Sequence, residues 1–313
     1  MPAQANPIFY GKRIKGDQMN TSRTVEHSLT RRDFLRLVTE FTGALVVVGA
    51  TSSFYSLKVE PGWIDVENVE IRLPNLPAAF SGFCITQISD IHFGGWMNQE
   101  RLADVVDLTL DTKPDLIVVT GDHVDGEQWT GELDAVVDGY VAEMSRLGTK
   151  YPTLGILGNH DHWTDAAKVR ELLARSNILE LKNDVYSIEK GGEQMHIAGV
   201  DDIWLGHDRM DEVLAKLPDS GPAILLAHEP DYADTSAATR RFDLQLSGHS
   251  HGGQIVVPFS GPVLTPHLGV KYPSGLYRVG DMWQYTNRGV GMIGLGVRLN
   301  CRPEITVFTL KPA

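Results

Sequence analysis

Between Val69 and Phe242 two patterns of apolar and polar positions take turns. One is short and almost wholly apolar: "FCITQI" (83–88), "DLIVVT" (115–120), "PTLGIL" (152–157) and "AILLA" (223–227). Apolar residues at nearly every position of so short a run predict strands buried on both faces. The other pattern is longer, with apolar residues at helical spacing. "RLADVVDLTL" puts Leu102, Val105 and Val106 on one helical face, and "ELDAVVDGYVAEMSRL", "DAAKVRELLARSN" and "DEVLAKL" read the same way. "VEIRL" alternates as a half-buried strand does, and "QMHIAGVDDIW" reads as a further strand. Buried strands alternating with amphipathic helices predict an α/β fold.

Beyond Phe242 the helical pattern stops. "DLQLSGHSH", "GQIVVP", "GLYRV", "QYTNRG" and "EITVFTL" follow one another, separated by Gly, Pro and Ser. This part is expected to be β-rich and partly antiparallel. Nothing of linker composition divides it from the first part, so residues 59–313 are read as one domain.

Residues 1–58 form an extension of different character. "TRRDFLR" (30–36) precedes the apolar "ALVVVGA" (44–50), an order that reads as a twin-arginine export signal. The apolar run is shorter than an ordinary membrane span and Glu40 stands at its start. A small-residue cleavage site is weakly marked by "VGA" and "TSSF". The segment is therefore expected to be either cleaved or kept as an anchor. The protein would reach the periplasm or the outer face of the cytoplasmic membrane through the twin-arginine machinery.

Charge sharpens this division. The extension carries eight Lys/Arg against four Asp/Glu, a net of +4, while the remainder carries 20 against 36, a net of −16, so the acidity of the chain belongs to the domain. So acidic a domain repels a nucleic-acid backbone, and no stable nucleic-acid partner is expected. An anionic substrate would need local positive charge, which bound cations can supply. The two cysteines, Cys84 and Cys301, sit in apolar runs and read as buried free thiols, with pairing an alternative in an exported protein.

The chemistry lies where the predicted strands stop. Asp90-Ile91-His92 follows the first, Gly121-Asp122 the second, and Gly158-Asn159-His160-Asp161 the third; Ala227-His228-Glu229 and Gly248-His249-Ser250-His251 follow later ones. In open α/β sheets the carboxyl ends of strands line one crevice. Imidazole, carboxylate and amide oxygen without thiolate suit Mn, Fe, Zn or Ni. Seven such groups exceed one tetrahedral zinc and fit two ions sharing a bridging carboxylate. The glycines ahead of Asp122, Asn159 and His249 allow tight turns and close approach. Alternation in Asp90-x-His92 and His249-x-His251 would aim each pair to one side of an extended segment.

These motifs resemble those of the calcineurin-like metallophosphoesterases across roughly residues 80–260. The twin-arginine start, "EPGW" (60–63), "GHSHGGQ" and "RGVGMIGLGVRLNCRPEIT" (288–306) are similar to a bacterial exported subgroup that includes phosphodiesterases. The resemblance implies a sandwich of two mixed β-sheets flanked by helices. It implies one divalent ion held by Asp90, His92, Asp122 and His251 and a second by Asp122, Asn159, His228 and His249. A hydroxide bridging the ions would attack phosphorus in line, with His160 assisting the leaving group and Asp161 orienting His160. The substrate is expected to be a small-molecule or lipid phosphodiester.

An alternative is a membrane-surface pyrophosphatase acting on a nucleotide-linked lipid such as UDP-2,3-diacylglucosamine; a remoter one is a non-catalytic scaffold of the same fold. Export disfavours the first, because such nucleotides are cytoplasmic, and the complete ligand set disfavours the second. His123 and His162, beside the motifs, read as supports or packing, as do Glu229 and Gln254. His196 reads as packing; His207 and His267 are candidates to touch substrate. Trp96 and Trp163 read as rim packing or a substrate platform.

Overall fold

The computed structural model describes residues 30–126, 133–294 and 296–313. Most of the 1–58 extension thus lies outside the described residues. Its described part opens with helix α1 (Arg31–Phe54), which buries none of its residues. The helical run Arg31–Gly62 is long and apolar enough to cross a membrane, by length and composition. This differs from the sequence expectation of a short run, because Phe34, Leu35, Leu37, Val38 and Phe41 extend the apolar stretch of "ALVVVGA" by nearly three turns.

Residues Ala50–Ala313 form one compact unit built on two six-stranded sheets. With strands numbered along the chain, the first sheet runs in the order β1 (Asp65–Leu73), β14 (Glu304–Pro312), β2 (Cys84–Ile88), β3 (Leu116–Thr120), β4 (Thr153–Ile156) and β5 (Leu179–Glu180). The second runs β12 (Gly275–Val279), β13 (Met282–Thr286), β9 (Leu244–Ser247), β8 (Ala223–Leu226), β7 (Glu193–Gly199) and β6 (Asp184–Lys190). Both sheets are mixed. β2 through β5 are parallel and β14 runs against β2; β13, β9, β8 and β7 are parallel and β6 and β12 run against their neighbours.

The near-continuous apolar runs now have their cause. Leu116 and Val118 face the second sheet, whereas Ile117 and Val119 face the helices. Ile224 and Leu226 likewise face inward, with Ala223 and Leu225 outward. Each strand is covered on both sides, so neither face is left polar. Between the sheets, Ile71, Ile85, Leu154, Ile197, Leu246 and Phe308 belong to one core. Helices α2 (Gln99–Asp111), α3 (Leu133–Lys150) and α4 (Asn159–Arg175) cover the first sheet through residues such as Val105, Met144 and Leu173. Helices α5 (Met210–Lys216) and α6 (Ala233–Ala238) cover the second. A two-stranded ribbon, β10 (Val256–Val257) and β11 (Gly261–Pro262), stands apart from both sheets.

Parallel pairing sets the strand ends level. Ile88 pairs Val119, Thr120 pairs Ile156, and Leu226 pairs Leu246. Near these ends the inter-sheet core turns polar. Gln87 Nε2 donates to Thr120 Oγ1 at 2.8 Å and to the Ser247 carbonyl at 2.9 Å, stitching the two sheets together behind the cleft.

Candidate metal centre

Five strand ends supply the site. Asp90 and His92 follow β2, Asp122 follows β3, Asn159 to Asp161 open α4 behind β4, His228 follows β8, and His249 and His251 follow β9. All seven predicted ligands are buried. They do not sit on extended segments, as alternation had suggested. Asp90, His92, Asp122, His249 and His251 all have φ between 47° and 69°. The chain turns sharply after each strand, and a left-handed residue turns its side chain into the cleft. Such backbone costs of order 1–3 kcal/mol per residue for non-glycine types, and persists where surrounding bonds hold it. Here they do: the Asp90 N–H donates to the Gly121 carbonyl and the His92 N–H to the Asp122 carbonyl, both at 3.0 Å.

The preceding glycines are needed for space. A Cβ on Gly158 would collide with Asp122 Oδ1 and the His228 ring, and one on Gly248 with Ser89 Oγ and Asp90 Oδ2. Gly121 adds a φ of 92° to the same crowding.

Asp122 stands at the middle. Its Oδ2 lies 3.1 Å from His228 Nε2 and 3.5 Å from His92 Nε2, and its Oδ1 accepts the His160 N–H at 2.9 Å. To one side His92 Nε2 and His251 Nε2 are 3.0 Å apart, with Asp90 Oδ1 3.4 Å from the latter. To the other side, ligand atoms of Asp122, His228 and His249 fall within 4.8 Å of one another. Asn159 Oδ1 is buried without a hydrogen-bond partner, and so is His228 Nε2. Unpaired polar atoms at this depth are costly in a bare protein and apt as ligands.

The outer ring nitrogens are already committed. His228 Nδ1–H donates to the Thr120 carbonyl at 2.7 Å, and His249 Nε2–H to the His267 carbonyl at 2.8 Å. Each bond commits the outer nitrogen to the protein and leaves the inner nitrogen to face the cleft. Asp90 accepts the His249 N–H on both oxygens, at 2.9 and 3.1 Å.

Burial holds His92 and His249 down to about 3 and His251 well below its ordinary value, so these imidazoles are neutral at pH 7, the form that binds metal. Burial resists the charge of Asp122, yet the pull of His228 outweighs it and keeps the carboxyl well below its usual range. Burial equally opposes a proton on His228, and Asp122 outweighs that and raises it well above the ordinary value. Burial pushes Asp90 up to about 7. A cation at the Nε2 edge of His228 would take the place of that proton and offset both carboxylates at once, so the donor set fits metal.

His160 lines the cleft, its ring edge-on to His92 at 4.6 Å between centroids. Asp161 does not reach that ring. Its Oδ1 accepts the N–H groups of His123 and Val124 and its Oδ2 that of Gly158, while His160 Nδ1 has no partner. The orienting role expected of Asp161 therefore falls on the backbone: it ties the loop after β3 to the start of α4. The carboxylate near His160 is that of Asp125, whose oxygen comes within 4.8 Å of ring nitrogens of both His160 and His92. Sequence reasoning passed over Asp125, although "GDHVDG" sets it three residues beyond Asp122.

The supporting residues divide clearly. His123 is structural: its ring bonds Tyr140 Oη and the Ile156 carbonyl. His196 bonds Ser187 and the Ser220 carbonyl, away from the cleft. His162 bonds Asp201 at 2.7 Å and stacks on His207. Trp163 lines the cleft beside His160, whereas Trp96 lines a separate cavity beneath Arg101. Trp204, not singled out by the sequence, packs edge-on against Trp163 at 5.2 Å between ring centroids. Its place depends on Glu229, which accepts the N–H groups of Ile203 and Trp204. Cys84 and Cys301 are free thiols, the first half-buried and the second buried.

The profile described as calcineurin-like phosphoesterase matches residues 84–253. The chain is 36% identical over 285 residues to an uncharacterized metallophosphoesterase, YkuE, of Bacillus subtilis, spanning 90% of this chain and 98% of that one. It is 30% identical over 290 residues to the phosphodiesterase YaeI of Escherichia coli, spanning 90% and 99% respectively. A transmembrane protein with a metallophosphoesterase domain from Danio rerio is 31% identical over 314 residues, spanning 95% of this chain and 68% of that protein.

The bonding of Asp161 makes a distinct expectation. Asp161→Asn would aim an amide N–H₂ at a backbone N–H and lose charge-assisted bonds. Urea unfolding should show a loss of about 1–3 kcal/mol in the metal-free protein. Unchanged stability with a slower reaction would restore Asp161 to a role at the His160 ring.

Proposed function

Because the chain belongs to the calcineurin-like metallophosphoesterases, hydrolases of phosphoric esters, we propose that its centre binds two divalent ions and that its substrate is a phosphodiester. One ion would be held by Asp90, His92, Asp122 and His251, the other by Asp122, Asn159, His228 and His249. The observation that carries this reading is the position of Asp122 between two clusters of inward-facing nitrogens and oxygens. When bound, such a pair supplies Lewis acidity at the phosphoryl oxygens and lowers the pKa of a shared water, with Mn, Fe, Zn or Ni all compatible with the donors.

The chain's own residues do the rest. No lysine or arginine lines the cleft among the described residues. Phosphate charge is thus met by the ions alone, which suits the single negative charge of a diester better than the two of a monoester. Trp163 and Trp204 wall the cleft and orient the ester arms. His160 donates a proton to the leaving oxygen as water adds to phosphorus and the ester P–O bond breaks. Asp125 positions its ring. The phosphodiesterase name of the Escherichia coli relative supports the same substrate class.

Two substitutions separate these roles. Asp122→Ala should abolish turnover of bis(p-nitrophenyl) phosphate and lower the content of both ions by elemental analysis; near-full metal with normal activity would end the bridging assignment. His160→Ala should keep the metal and lose ~10²–10⁴ in rate, less for good leaving groups than for poor ones. An equal loss across leaving groups would remove the proton-donor role.

We also propose export by the twin-arginine route, with α1 either removed or holding the enzyme at the outer face of the cytoplasmic membrane. Arg31 and Arg32 at the start of α1 and the apolar length behind them support this. Replacing both arginines with lysine should leave folded, active protein in the cytoplasm on cell fractionation. Envelope delivery of the double variant would refute the signal.

A further inference from the structure

Directly beside the metal cleft lies a second cavity of about 360 Å³. Ile255, Val263, Leu264, Pro266, Ile293 and Val297 supply its apolar wall. The two spaces adjoin, with His251, Pro266, Ile293 and Gly294 lining both. Apart from His251 no ionisable side chain borders the groove among the described residues. The other side of the cleft is different in kind, with Asp125 and the two tryptophans.

The groove is built rather than incidental. Gln254 ties its two walls together: Nε2 donates to the Ile293 carbonyl at 3.0 Å, and Oε1 accepts the Ile293 N–H at 2.8 Å. The Val263 N–H donates to the Ile255 carbonyl at 2.9 Å, which closes the ribbon loop over it. Gln254 itself holds a φ of 53°, and Gly253 a φ of 79°, packed so closely that a Cβ would strike Pro262. The chain thus bends immediately after the ligand His251 in order to carry this loop beside the site. The loop also leaves apolar surface in water: Leu264 is 76% exposed, and Phe259 at the turn is fully so.

A phosphodiester bound at the metals has two ester arms. One can lie against Trp163 and Trp204; the groove offers the other a largely apolar path, along which Ser250 and Gln254 already spend their side-chain bonds on the protein. We propose that this groove is the subsite for an alkyl or acyl chain on one ester arm, so that the substrate is an amphiphilic phosphodiester. This rests on the phosphodiesterase reading above. A volume of this size falls within the range of about 300–1,000 Å³ that ligand pockets occupy.

The test uses the full-length, metal-loaded protein and a series of alkyl p-nitrophenyl phosphates with methyl, butyl, octyl and dodecyl chains, each below its micelle concentration. kcat/KM should rise roughly two- to fourfold per methylene until the groove is filled. In a Val263→Ser, Leu264→Asp double variant the ratio of dodecyl to methyl ester should fall at least tenfold. Reading a ratio matters, because misfolding lowers both esters alike. No hydrolysis of any ester, with hydrolysis of other phosphoric compounds, would reject the phosphodiesterase reading and leave the groove without its premise. Hydrolysis that ignores chain length, or a preference that survives the double variant, would reject the groove alone. A wild-type dimer that the double variant makes monomeric by light scattering would assign this face to a second copy of the chain and overturn the proposal.

Discussion

The fold turns on one electrostatic constraint: Asp122 keeps a charge although almost none of it is exposed. Its carboxylate is buried between His92, His228 and the His160 N–H. An isolated buried carboxylate would neutralise itself. This one does not, because imidazoles crowd it from both sheets. That makes the two sheets mutually dependent at their carboxyl edges, since the first supplies Asp122 and His92 and the second supplies His228, His249 and His251. Burial keeps His92, His249 and His251 neutral while Asp122 draws a proton onto His228, and divalent cations would resolve that mismatch for the whole cluster. Metal loading and the final docking of the sheets are therefore expected to be coupled.

Holding that cluster requires strain, and the strain is locally supported. Five of the seven candidate ligands sit in the left-handed region, and glycines precede three of the loops where any Cβ would meet a candidate ligand. Further support comes from the chain's C-terminal part. Arg298, fully buried, donates to the carbonyls of Arg288, Gly289, Gly291 and Cys301. The segment it gathers returns to the ligands, with Gly291 N–H donating to the Asp90 carbonyl at 2.8 Å and the Cys301 thiol to the His251 carbonyl at 3.2 Å. Cys301 thus supports a ligand's backbone, which explains a buried thiol without any disulfide.

The surroundings divide the cleft by chemistry. Glu229, next in sequence to the ligand His228, places Trp204; Gln254, three beyond His251, places Ile293. Residues adjacent to candidate ligands thus shape the walls of the cleft. The aromatic side and the apolar side are set by the same two loops that carry His228, His249 and His251, so on the proposed reading substrate preference and metal geometry would be tied together.

Much was readable in the amino-acid order alone. Apolar runs such as "DLIVVT" and "AILLA" identified buried strands, because a strand covered on both faces has no polar period to hide. Asp, His and Asn placed just past those runs marked the edge where the candidate ligands gather, because parallel strands end on one side. The apolar pattern alone did not show that two sheets converge there; that expectation came from the resemblance of the motifs, because pairing partners such as β14 between β1 and β2 are separated by more than two hundred residues. Nor did it show that Asp161 bonds backbone while Asp125 approaches His160, or that Trp204 closes the cleft. A residue type limits what a side chain can do; which partner it reaches is decided by turns in the left-handed region and by packing across the sheets, where distances of 3 Å join residues far apart in sequence.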